Sequence, residues 1–116
     1  MENYLLIYRS EYKAAPTATP EQAQAMTKKW MDWISGLDAK NQLTDRGNRL
    51  DPASGKVLKP GNVVTNGPYA EIKEMIGGYS IVKATSYDEA VEIAKGCPIF
   101  QVGGHVEIRS INNLPM

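Results

Sequence analysis

An α+β fold is predicted, with the order strand, helix, extended hairpin region, strand, helix, strand. Three observations predict it. Aliphatic and aromatic runs of strand length stand at 3–9, 77–84 and 105–111. Two segments between them repeat apolar residues at helical spacing, and each opens on a capping signal. The resulting βαββαβ order is the ferredoxin-like arrangement, and a length of 116 residues suits one domain over 1–116.

The first strand is NYLLIYR, 3–9, which holds no breaker, and the polar stretch SEYKAAPTA after it reads as a loop. The first helix opens at Thr19 as N-cap, with Pro20 at the first helical position and Gln22 as capping-box partner. Ala23, Met26, Trp30, Trp33, Ile34 and Leu37 make its apolar stripe, so the tryptophans belong to the core, and Gly36 marks the fraying end. From Leu43 to Asn66 extended pieces alternate with turns: RGNRL, DPASG, KVLK, PGN and VVTN. This is an irregular second strand region carrying a hairpin. GGYSIVKA follows as a strand, then a second helix with Ser86 as cap, Glu89 as capping-box partner and Gly96 as the closing glycine. HVEIRSI, 105–111, alternates with period two as the last strand.

The first strand places Leu5 and Ile7 on one face and Tyr4, Leu6 and Tyr8 on the other. Both faces therefore need cover, while two helices on one side shield only one. A second copy packed sheet to sheet is the economical shield, so a homodimer is expected, with a cleft between the sheets as its ligand site.

Composition narrows the function classes. Thirteen basic residues balance thirteen acidic ones, so there is no net drive toward nucleic acid or anionic membrane, and neither partner is expected. The apolar runs fall well short of the roughly 18 residues that span a bilayer. With one cysteine, Cys97, and no secretory pattern in MENYLLIYRS, a cytoplasmic location is expected. No cofactor is expected, because neither a phosphate loop nor a zinc-ligand spacing is present. Cys97 before Pro98 reads as buried packing rather than a nucleophile, since no histidine neighbours it in sequence.

The stretch NGPYAEIKE, Asn66 to Glu74, together with Gly77, Gly78 and Tyr79, resembles the YciI-related proteins, in the branch named for its DGPFAETKE motif. Cys97-Pro98, the run from Gly103 through Arg109 and the opening YLLIYR match the same branch, so the resemblance covers nearly the whole chain. It implies a dimeric α+β barrel. Some relatives resemble small-molecule enzymes that use a histidine and an aspartate as proton-transfer groups. Here the histidine is His105, in the last strand rather than near the first helix, so that pair is not matched. The branch's association with extracytoplasmic-function sigma factors implies an alternative, a non-catalytic accessory or regulatory module. The motif's aspartate and phenylalanine are replaced by Asn66 and Tyr69, and an amide cannot serve as a general base.

Candidate site residues follow. Glu71 and Glu74, three apart if helical, are a candidate acid/base pair or a solvated acidic face. His105 titrates in the useful range beside a glycine pair, or is simply exposed. Asn66-Gly67-Pro68 has the chemistry of a corner. Lys73 is an anion contact or a surface ion-pair partner. Glu107 and Arg109 share one sheet face, where Arg109 either fixes a substrate carboxylate or pairs across strands. Tyr4, Tyr8 and Tyr69 offer hydroxyls to the cleft, or simply pack at an interface. The expected ligand-binding set is Tyr8, Asn66, Tyr69, Lys73 and Arg109, the expected catalytic set Glu71, Glu74 and His105, and the expected ligand a small polar or anionic molecule.

Overall fold

Alternation along the first strand sorts the molecule into two faces. A computed structural model describes residues 1–11, 19–51, 54–67 and 74–112. The elements are β1 (Glu2–Glu11), α1 (Pro20–Ala39), β2 (Leu43–Asp45), β3 (Lys56–Lys59), β4 (Val63–Asn66), β5 (Glu74–Ala84), α2 (Tyr87–Ala94), a 3₁₀ helix (Pro98–Val102) and β6 (His105–Ser110). β2, β5, β1 and β6 form an antiparallel four-stranded sheet in that order, and β3 and β4 form a separate two-stranded sheet. The chain is therefore α+β, compatible with the ferredoxin-like arrangement. Among the described residues, no helix is long and apolar enough to cross a membrane.

One sheet face is the core. Tyr4, Leu6 and Tyr8 of β1 and Val82 and Ala84 of β5 are buried there with Leu37 of α1 and Ala90, Ile93 and Ala94 of α2; Val106 and Ile108 of β6 pack against them. Strand register puts a different set on the other face. Leu5 stands opposite Ile81 and Arg109, Ile7 opposite Tyr79 and Glu107, and Arg9 opposite Ile76 and His105. Leu5, Ile7, Tyr79 and Ile81 are half-buried there and Ile76 is exposed. Both helices pack on the first face, and among the described residues neither helix covers the second, the open face.

The capping box of α1 forms as its sequence predicts: Gln22 N–H donates to Thr19 Oγ1 and Thr19 N–H to Gln22 Oε1. Its end does not. The helix runs through Gly36 to Ala39, because buried Leu37 anchors the last turn, and Asn41 takes the left-handed turn at φ 57°. The predicted stripe packs only toward this end: Leu37 is buried, Met26, Trp30, Trp33 and Ile34 are half-buried, and Ala23 is exposed. Trp30 and Trp33 meet each other and Tyr8 edge to face at 4.9–6.3 Å between ring centroids.

At α2, Ser86 Oγ accepts from Glu89 N–H, but the Glu89 carboxylate reaches back to Thr85 rather than to Ser86. Gly96 does not close the helix by a left-handed turn; Lys95 is the C-cap. A side chain there would crowd the indole, since a Cβ would stand 3.0 Å from Trp33 Nε1. β5 starts at Glu74, three residues before the glycine pair. Its bulge skips Gly77, and Gly78 lets the chain after β2 cross, since a Cβ would stand 2.8 Å from Asn48 O.

Candidate functional site

The charged side chains that the sheet gathers come from alternation. β6 turns Val106 and Ile108 to the core and therefore Glu107 and Arg109 to the open face, where β1 adds Arg9 by the same period of two. Arg9 Nε donates to Glu107 Oε1 at 2.8 Å, and Arg109 Nη1 donates to Glu107 Oε2 at 3.3 Å. Both carboxylate oxygens are thus engaged by cations. The Arg9 hydrogen bond first, and the Arg109 bond second, hold the Glu107 carboxyl below its ordinary value. Glu107 is consequently an anion near neutrality, suited to holding guanidinium groups in place rather than to donating a proton.

Arg9 is the better buried of the two arginines, its side chain 22% exposed against 68% for Arg109. Arg109 therefore presents its guanidinium fork to whatever meets the open face, with the aliphatic Leu5 at its side in register. His105, exposed, stands beside Arg9 in register. Asn48 Nδ2 donates to Tyr79 Oη at 3.1 Å on the β2 side of the same face. Among the described residues, two arginines against one glutamate leave this cluster along the β6 edge with a net positive charge, which beside aliphatic surface can hold a small anion with a short apolar body.

The predicted site residues do not all converge. Arg109 and His105 share the open face. Tyr8 lies on the core face: its Oη donates to Ser80 Oγ at 2.7 Å, and Ser80 Oγ donates to Arg46 O at 2.6 Å. Burial pushes the Tyr8 phenol well above its ordinary value, and the sheet separates it from Arg109. Asn66 ends β4, where Lys56 Nζ donates to its Oδ1 at 2.9 Å, away from the four-stranded sheet. Gly67 has the left-handed φ of 82° that a corner needs. Tyr69, Glu71 and Lys73 lie outside the described residues; Glu74 opens β5 opposite Glu11, so at that position the condition of a helix is not met.

Arg9 is the member the sequence reading missed, although Leu5, Ile7 and Arg9 stand at a period of two in the first strand. Cys97 is buried, and burial pushes its thiol up to about 11, which fits packing and not nucleophilic work. Among the described residues no three His, Cys, Asp or Glu side chains gather as metal ligands. A shallow depression lined by Ala23, Thr27 and Met31 is formed by α1 alone, apart from this cluster. The YCII-related domain model matches residues 1–114, and the chain belongs to that family. No curated protein matches it.

Proposed function

We propose that this YCII-related chain acts as a homodimer, its two open sheet faces opposed, and that it binds a small anionic molecule between them at Arg109. The observation that carries the reading is the composition of the open face: Leu5, Ile7, Tyr79 and Ile81 beside an ionic cluster of Arg9, Glu107 and Arg109. Aliphatic surface on a sheet asks for a second layer, and an oriented guanidinium within it asks for an anion. Arg109 clamps the anionic group, Glu107 and Arg9 hold Arg109 in position, and His105 is the titratable side chain beside them. Proton-transfer chemistry at this site falls to His105, with Glu71 and Glu74 of the motif as further candidates.

A second reading, a non-catalytic accessory module, draws on different surface. Phe100 and Val102 of the 3₁₀ helix are 49% and 63% exposed, which suits a protein partner.

Light scattering at micromolar concentration and a thermal-shift screen against small carboxylates and phosphates test the first reading together. A dimeric mass is expected, with a rise in melting temperature for at least one anion that disappears in Arg109→Ala. A monomeric mass removes the cleft. A dimer that no anion stabilises leaves the accessory reading in possession.

A further inference from the structure

The β3–β4 hairpin stands apart from the sheet that holds the core. Among the described residues its strands pair only with each other, and its base is closed by Gly67 N–H donating to Gly55 O at 2.6 Å. Leu58 and Val64 are directly opposite in register and are 69% and 54% exposed; Val63, opposite Lys59, is 51% exposed. A lone two-stranded hairpin is marginal in water, and one with bare aliphatic pairs is an aggregation hazard unless something covers it.

We infer that this hairpin is an arm that packs Leu58 and Val64 against a second copy of the chain. The inference rests on the homodimer reading above and adds a second contact to it. Interface size argues for that occupant. A strand residue covers about 16 Å² of sheet, from a rise of about 3.3 Å and a spacing of about 4.8 Å. Strands of 10, 11, 6 and 3 residues then offer a face of roughly 500 Å², short of the ~800 Å² per partner of a standard interface. In a two-fold dimer each copy both gives an arm and receives one. Two strands of 4 residues, counted once as given and once as received, add roughly 250 Å² and bring the total close to that standard. Equal numbers of basic and acidic residues, 13 each, leave two copies without net repulsion.

Sedimentation equilibrium of the full chain and three variants tests the arm. In the first variant Leu58→Lys and Val64→Lys are combined; in the second a single glycine replaces 56–66 between Gly55 and Gly67; in the third Ile7→Lys disrupts the open face. Circular dichroism checks that each one folds. Both arm variants are expected to weaken dimerisation at least about a hundred-fold, since a two-fold dimer of either variant forgoes the burial of four aliphatic side chains, two per arm. Arm variants that associate like wild type, while Ile7→Lys gives monomers, overturn the arm and leave the sheet-to-sheet dimer standing. A wild-type chain that is itself monomeric overturns both.

Discussion

Glu107 shows how one side chain links stability to the site. Its carboxyl is held low by Arg9 and Arg109, so the folded state binds its proton less readily than the unfolded chain does. The stabilisation is therefore fully present above the ordinary carboxylate value of about 4.3 and is lost as pH falls through the lowered one. Melting curves across pH should show wild type above Glu107→Gln near neutrality and the gap closing in acid; parallel curves would show that the bonds to the arginines carry no such linkage. Cys97 has the opposite sign. Its thiol is raised to about 11 by burial, so the fold favours the protonated form, and stability is complete below the unfolded thiol value of about 8.5 and declines as pH rises toward 11. Native protein at mildly alkaline pH should leave a thiol reagent unreacted until it unfolds, and rapid native labelling would contradict the burial. That Glu107 and Arg109 share one face was legible in the sequence because period two in HVEIRSI assigns faces directly; their pairing with each other was not. Which of the two β1 faces the helices cover was not legible, since Leu5 and Ile7 are as apolar as Tyr4, Leu6 and Tyr8; that decision belongs to packing, and it separates Tyr8 from Arg109.

Elements were legible where local chemistry decides and illegible where a distant contact does. Thr19 and Gln22 bond within one turn, so the start of α1 follows from the stretch Thr19 to Gln22 alone. Its end depends on Leu37 reaching the core, and the two glycines read as helix terminators turn out to differ. A Cβ at Gly36 meets nothing within 4 Å, whereas at Gly96 it meets the Trp33 indole at 3.0 Å. The same substitution should thus have opposite effects. Gly36→Ala is expected to stabilise by about 0.5–1 kcal/mol, through the helix preference for alanine. Gly96→Ala is expected to destabilise by about 1–3 kcal/mol as the indole is displaced, with a change in tryptophan fluorescence that Gly36→Ala lacks. A rise in melting temperature for Gly96→Ala would mean that Trp33 yields without loss.

The whole molecule is a thin plate, 45 × 43 × 18 Å, with a radius of gyration of 15.9 Å where a compact chain of this length gives roughly 13 Å. A thickness of that order holds one sheet and one layer of helices. The core accordingly lies on one side of the sheet, and Leu5, Ile7, Tyr79 and Ile81, half-buried on the other, keep apolar surface that a second layer would take from water. If the proposed second copy supplies their cover, folding and association are one equilibrium, and the melting temperature must depend on concentration. Its size follows from entropy: unfolding two chains of 116 residues at about 2.1 cal/mol/K per residue, against about 1.4 kcal/mol per tenfold dilution, gives roughly 3 °C per decade. Calorimetry over a hundredfold range of concentration should therefore move the melting temperature by about 6 °C. A constant value over that range would mean that the open face withstands water unaided, and that the aliphatic residues on it answer to something other than a twin chain.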